Sequence, residues 1–545
     1  MVKKKPQTEK KKPGVYKRIV KWTGLGLLVL LLIAALIFQA PWKVIALLLI
    51  VLAACTVLPK PYRKWFWLSV ATVVLVLIIW VFLPEDSEGW RPYTFDEELA
   101  ALEAKYAIPD SENAATIYNA LLEDYGPNTI HPDFLDPNID HLTLREAWSS
   151  EDYPELATWL QEHQKTITKL LEASKVEKCV FPITHDTLSL SDIMDYLPNI
   201  RGWAFLLVRA GNNDMAEGRI EEGLEKYLCV KKIGDHLWQQ STMLEILVGK
   251  AVEDLALGRF KAFVVTTDAT EEHLNLIEKA VVDIKYDWSS DITRILECEK
   301  LMTKNLICSM AYQVNSEGRT RFSRDPIAAM RSEFPEELPL LTYWQKKLAK
   351  AGTILGWFVV PSTPQKAGEI IDGSYEQFYA MIEPDFDWQR EPPELFSLLT
   401  PWNFTRIRFN FGFLVKLLVS MSEESYYSIH DLYLRNITEQ RGNHLIIALR
   451  RYRNENDRWP EKLEEVKSLA PAEIFVDPIN GNSFVYKLTQ ENFTLYSKGK
   501  NNIDEDGIRE ITFDPNDFKW FKTEGDDILI WQPKTRKTKN EKADA

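Results

Sequence analysis

Near the C-terminus, Asn502, Asp504 and Asp506 stand at alternate positions and Gly507 follows them. This is the spacing of positions 1, 3 and 5 of an oxygen-ligand loop, and the chemistry it suggests is capture of calcium, a hard cation that takes carboxylate and carbonyl oxygens. The twelfth position is Phe513 rather than a bidentate Glu, and Asp514 reaches the same place only by a different loop path. A solvated acidic turn is the plain alternative. Elsewhere the residue types that perform catalysis are scattered. The eight histidines form no HExxH or Ser/Cys-His grouping, and no GxSxG, P-loop or GxGxxG occurs. His185-Asp186 is a structural pair by default, and carboxylates such as Asp192 and Asp195 are what so acidic a chain places on helix faces by chance. The sequence therefore predicts no catalytic residue and no organic cofactor.

The elements that position these residues differ in charge. Residues 1–64 hold 13 Lys/Arg against one acid, Glu9, while the whole chain carries −14, so everything after them is strongly acidic. Such a surface is a poor nucleic-acid partner, because phosphate contacts need clustered Lys/Arg. Cys179, Cys229, Cys298 and Cys308 follow Cys55 without CxxC or Cys/His spacing, which argues against zinc and predicts free, buried thiols at most of these sites, with one bridge open to an exported domain.

From Trp90 to about Ser420 the pattern is mainly helical. Phe95–Tyr106, Asp110–Tyr125 and Tyr153–Ser174 read as amphipathic helices, and Ile200–Phe263 as at least three more. Leu338–Pro361, interrupted by Lys346, Lys347 and Lys350, and Leu395–Met421 read as packed segments. Within Phe205–Ile233, Gly211 ends one helix, Asn212-Asn213-Asp214 forms a polar turn, and Gly218, Gly223 and Tyr227 lie on the next. The small residues permit close helix approach. The stretch resembles a tetratricopeptide-type hairpin, which implies a peptide- or protein-binding scaffold; an ordinary helical hairpin is the other reading, and no repeat at the family's period accompanies it.

The C-terminal stretch 440–531 has a distinct order. A helix over Arg441–Asn454 leads to Trp459-Pro460 and Leu463, then an Asp477-Pro478-Ile479-Asn480-Gly481 turn. Two strand-like runs follow, Ser483–Leu488 and Asn492–Ser497, the second closing on Tyr496-Ser497-Lys498-Gly499. The acidic loop comes next, and Asp527-Ile528 with Trp531 ends the series. These motifs in this order resemble the globular half of the major pseudopilins of type II secretion. The resemblance implies one helix against a small antiparallel sheet, calcium in the acidic loop, and secretion or envelope proteins as partners. The chain lacks the family's processed leader: Gly412-Phe413 precedes an apolar run, but Leu417 stands where the family has Glu. The whole chain is also similar to large uncharacterised membrane-anchored proteins of planctomycete-type bacteria.

Three apolar runs, Thr23–Ala40, Pro41–Leu58 and Trp65–Leu83, each approach the roughly 20 residues needed to cross a bilayer. The basic tail over residues 1–22 and Lys60, Arg63 and Lys64 between the second and third runs place both segments in the cytoplasm. Three spans then put the acidic remainder outside; a second run shortened by Lys43 that failed to span would leave it inside. The expectation is thus a multi-pass inner-membrane protein with transmembrane helices at 23–83, the bilayer itself as one partner, and a mainly α soluble region over 84–420. A small α+β module follows at 421–533, and then a disordered tail at 534–545. Its expected role is an extracytoplasmic scaffold or protein-binding protein linked to secretion or the cell envelope, with a membrane-tethered hydrolase as the alternative.

Overall fold

The computed structural model describes residues 88–125, 130–184, 191–282, 287–323, 360–383, 385–388, 411–420, 422–490, 492–507, 510–512 and 522–531, with scattered positions between 49 and 72. In chain order the helices are α1 (Asp96–Tyr106), α2 (Ala115–Tyr125), α3 (Pro137–Arg145), α4 (Pro154–Glu162), α5 (Gln164–Ala173), α6 (Ser191–Ala216) and α7 (Ile220–Trp238). They continue as α8 (Met243–Thr266), α9 (Glu271–Val282), α10 (Trp288–Ala311), α11 (Pro364–Tyr379), α12 (Phe411–Ser420) and α13 (Glu423–Asn456). Two three-stranded antiparallel sheets accompany them: β1 (Trp90–Pro92), β2 (Tyr312–Asn315) and β3 (Thr320–Phe322); and β4 (Val485–Leu488), β5 (Phe493–Ser497) and β8 (Ile528–Trp531). A ribbon of β6 (Glu510–Thr512) and β7 (Lys522–Glu524) completes the strands.

The structure corrects the expected fold class. No helix among the described residues is long and apolar enough to cross a membrane. The long ones fail for a physical reason: α8 carries Glu245, Lys250, Glu253 and Asp254, and α13 carries Asp431, Arg435, Glu439 and Arg450. These charges would be stranded in hydrocarbon. The three apolar runs fall, apart from scattered positions, outside the described residues. The fold is therefore mostly helical with small antiparallel sheets, and the transmembrane helices, the multi-pass location and the extracytoplasmic placement counted from them are withdrawn.

The chain divides into two compact units that interleave in sequence. One comprises Met1–Asp96, Lys300–Met381 and Asp387–Glu424; the other comprises Glu97–Glu299, Ile382–Phe386 and Ser425–Ala545. In the first unit β2 pairs with both β1 and β3, a sheet the sequence reading missed because its strands are three or four residues long. Thr363 caps α11 with Pro364 in its first turn, the position where a missing N–H costs nothing. Lys304 on α10 is 3.0 Å from Asp372 on α11 and lies over the Phe95 ring.

In the second unit α6, α7 and α8 pack as successive antiparallel neighbours. Glycine sets the spacing between α7 and α8. A Cβ at Gly249 would meet the Leu237 Cβ at 2.8 Å and the Gly234 carbonyl at 3.0 Å, so the two backbones touch where neither residue has a side chain. Between α6 and α7 a Cβ at Gly211 would stand 2.6 Å from the Tyr227 ring, and the Tyr227 hydroxyl donates to Asn212 Oδ1 at 2.6 Å. The expected turn at Asn212–Asp214 is corrected: α6 runs through to Ala216 and the reversal uses Gly218 at φ +78°. The three polar residues are instead buried in the last turns of α6, where Asn212 Nδ2 donates to the Thr143 carbonyl at 2.8 Å and Asn213 Nδ2 to that of Trp148 at 3.2 Å. The single helix expected over Tyr153–Ser174 is broken at His163 into α4 and α5. Thr242 and Glu245 form a reciprocal cap at the start of α8.

The C-terminal half of α13 lies against the second sheet. A Cβ at Gly442 would collide with Ile530 of β8 at 2.5 Å, so the helix seats on the strand only because residue 442 has no side chain. Trp459 packs edge-on against Phe493 at 4.8 Å. Asp477 is fully buried, and its carboxylate gathers the turn: it accepts from Ile479 N at 3.0 Å, Asn480 Nδ2 at 2.8 Å and Ser497 Oγ at 2.5 Å. The Asp-Pro-x-x-Gly turn is thereby tied to the end of β5.

Candidate binding cleft

Helix α7 presents two different faces. On its buried face Leu224, Tyr227, Val230, Ile233 and Leu237 join the core. On the other, Glu225, Leu228, Lys232, Asp235 and Gln239 recur at intervals of three and four, which aligns them along one stripe of a helix. This stripe floors a cleft of about 650 Å³. Ser174, Lys175 and Glu177 after α5 form one wall, and Ala280 of α9 with Asp291 of α10 form the other.

The cleft is built from interleaved charges around apolar patches. Lys231 Nζ is 2.9 Å from Asp235 and 3.7 Å from Glu253 of α8, and Lys232 is 3.1 Å from Glu177. Lys175 and Glu225 are exposed. Burial raises the Asp235 carboxyl to about 7, against the attraction of Lys231 and with the repulsion of Glu253. Asp291 is raised to about 6 by burial, opposed by Arg294, whose Nη2 donates to it at 3.2 Å. The pattern continues behind the cleft, where Lys250 of α8 pairs with Asp254 and, at 3.3 Å, with Glu439 of α13. Burial acts on Glu439 to raise it, but Lys250 and Lys261 outweigh that and hold it at about 2.

Two groups here look reactive by type but are fixed. Cys229 donates to the Leu170 carbonyl at 3.3 Å, and burial raises its thiol to about 12. Too little thiolate forms at neutral pH for a nucleophile. His236 lies between the Tyr118 hydroxyl and the Val176 carbonyl, both at 2.9 Å. The carbonyl can only accept, so Nε2 carries the proton and Nδ1 accepts from Tyr118. Burial holds the ring neutral with a pKa of about 3. The four cysteines of the described residues are all buried. His185, Asp186 and the side chain of Asp192 lie outside the described residues, and Asp195 is exposed.

The residues singled out for calcium sit in a second place, at the end of the sheet. Asn502 and Asp506 both adopt positive φ, +55° and +58°, a region that Asn and Asp enter more readily than other side chains. Asp504 and Asp506 come together, and the cation between them is Lys487 of β4: Nζ is 2.5 Å from Asp506 and 3.3 Å from Asp504. Asn502 is exposed. The sequence reading named Asp527 as part of the closing motif but did not connect it or Asp526 with the loop, which the two close from behind. Asp527 is fully buried and accepts from Glu505 N at 2.9 Å and Gly507 N at 2.7 Å, while Asp526 accepts from Lys500 N and from Asn501 N at 3.0 Å. Their signal was the double acid before Ile528–Trp531. Among the described residues no group of three or more His, Cys, Asp or Glu converges as a metal site would.

The α7 cleft itself was hidden in sequence because its residues come from four segments. The legible trace was Lys231 and Asp235, an i,i+4 pair inside the apolar stretch Leu228–Trp238. Comparison with known families, with curated proteins and with solved structures finds no match to this chain.

Proposed function

We propose that the chain is a protein-binding scaffold whose α7 cleft receives a segment of a partner polypeptide. The carrying observation is the lining, which brings Lys175, Lys232, Glu225 and Asp235 together with Leu228 and Trp238. A polypeptide segment offers the matching mixture of charged, polar and apolar groups within a few residues. The pseudopilin-like order of motifs after α13 supports a partner drawn from secretion or envelope proteins, and the acidic excess of the chain favours protein over nucleic acid.

The test is site-specific photocrosslinking in the source cells, with a photoreactive phenylalanine at Leu228 in the full chain. A discrete protein adduct that weakens when Lys232→Glu is added supports the reading. An adduct pattern indifferent to Lys232, or no protein adduct while the probe remains photoactive, overturns it. One observation favours a second reading, a hydrolase in the same cleft: burial raises Asp235 to about 7 and Asp291 to about 6, the direction in which a general acid must be moved. Turnover of a peptide, ester or glycoside by the purified chain, lost in Asp235→Asn, would decide for it.

A further inference from the structure

We infer that the loop over residues 500–507 carries its own cation, the Lys487 ammonium, in the place where the pseudopilin resemblance implies calcium. This concerns a different site from the α7 cleft and stands independently of the scaffold reading.

The argument begins with register. Val485 of β4 pairs with Tyr496 of β5, and Lys487 pairs with Thr494. Residues two apart on a strand share a face, so Lys487 lies diagonally beside Tyr496. Its Nζ sits 5.2 Å from the centre of that ring, which fixes the ammonium over the sheet and aims it at the loop. The Tyr496 hydroxyl donates to Asp504 Oδ1 at 2.5 Å. Lys487 then completes the set at Asp506 and Asp504. The Tyr496 hydroxyl bond first, then the Asp506 amide and Lys487, hold the Asp504 carboxyl below its ordinary range.

The remaining acids bond mainly to the backbone. Asp527 Oδ2 takes two amide protons, from residues 505 and 507. Asp526 Oδ2 takes those of residues 500 and 501. Glu505 accepts from Asp526 N through one oxygen and from Asn501 Nδ2 at 3.2 Å through the other. Here the loop's own N–H groups, the Tyr496 hydroxyl and a lysine engage the carboxylates that the acidic spacing offers, and Asp527 Oδ1 is the buried carboxylate oxygen left without a hydrogen bond, so the described residues do not present the six to eight oxygens that calcium takes. Gly499 shows how tightly the closure is drawn: a Cβ there would overlap the Asp526 carbonyl at 2.1 Å.

The experiment is thermal unfolding of the full chain in EGTA and in millimolar calcium, for wild type, Lys487→Met and Lys487→Arg, with calorimetric titration of calcium into the wild type. The expected result is a wild-type midpoint indifferent to calcium and no calorimetric binding. Lys487→Met should lower the midpoint by about 2–4 °C, because an ion pair this exposed contributes little, and Lys487→Arg should restore it. A wild-type midpoint that rises with calcium and falls in EGTA, with saturable heat of binding, overturns the inference and assigns the loop to calcium. Should Lys487→Met fail to accumulate, the wild-type titration decides alone.

Discussion

Replacing Asp235 by Asn should change how the stability of the second unit depends on pH. The carboxyl lies on α7 with 15% of its side chain exposed, 2.9 Å from Lys231. Its folded pKa is about 7 against an ordinary 3.8. Between those values the folded chain holds a proton that the unfolded chain has released. Stability therefore falls as pH rises through that window, and no more is lost above it. From pH 5 to pH 8 about two units of the window are crossed, and at 1.36 kcal/mol per unit the wild type loses about 3 kcal/mol from this group. Asn cannot ionise. The difference in stability, Asn variant minus wild type, should move in the variant's favour by about that amount between the two pH values. His236 works in the opposite direction, since its pKa is lowered to about 3 and its neutral form is favoured increasingly as pH rises toward its ordinary range. It is present in both proteins and cancels. Urea unfolding followed by tryptophan fluorescence at the two pH values measures the difference. A gap that stays constant from pH 5 to pH 8 would refute the reasoning, because it would mean that Asp235 is ionised in the folded chain across the range.

Other expectations rest on packing and hydrogen bonding. Gly249→Ala forces a methyl against the Leu237 Cβ and the Gly234 carbonyl and should cost about 1–3 kcal/mol, read by the same denaturation. Gly258→Ala, inside α8 where a Cβ meets nothing within 4 Å, should instead raise stability by up to about 1 kcal/mol through helix propensity, seen as a higher urea midpoint. Asp477→Ala strands donors from Ile479, Asn480 and Ser497; at about 1–3 kcal/mol for a buried unsatisfied group, it should expose the turn at 477–482 to limited proteolysis. Cys229, raised to about 12 by burial, should resist a thiol reagent in the native chain and react only on unfolding, and fast native labelling would show that the α7 floor opens.

What could be read from sequence followed the range of the interactions. Helices α1 and α2 and the strands β4 and β5 announced themselves through periodicity and flanking turn residues, all local. The C-terminal motifs were also legible, and each has a bonding role: Asp477 gathers its turn, Asp527 closes the acidic loop, and the Trp531 indole donates to Asn492 at 3.1 Å. Other features depended on partners distant in the chain. Asn212, Asn213 and Asp214 have the composition of a turn, yet they stay helical because Trp148 and Thr143, more than sixty residues earlier, supply the carbonyls that satisfy two of them. Lys487 was not singled out, because nothing in its neighbourhood shows that the chain returns seventeen residues later with Asp504.

The same distinction explains why α7 unites the binding proposal with the interior charges. Lys231 reaches two acids, Asp235 on the cleft side and Glu253 on α8, and α8 passes the pattern through Lys250 to Glu439 of α13. Each lysine in this series is nearly buried and shared between two carboxylates, so removing a charge at one end leaves the next pair unbalanced, which is costly in an interior. A bound segment that presents a cation to Asp235 would draw that carboxyl toward ionisation and relieve Lys231 of one partner. Lys231 would then be freer to answer Glu253. Binding in the cleft and packing of α7 on α8 are therefore linked through a single ammonium group, and the linkage is reciprocal. A cationic partner segment should bind more weakly at pH 5, where Asp235 is protonated, than at pH 8, and Asp235→Asn should abolish that difference. If affinity is instead independent of pH in the wild type, the partner does not engage Asp235, and the segment is held by other charges of the cleft such as Lys175 and Lys232.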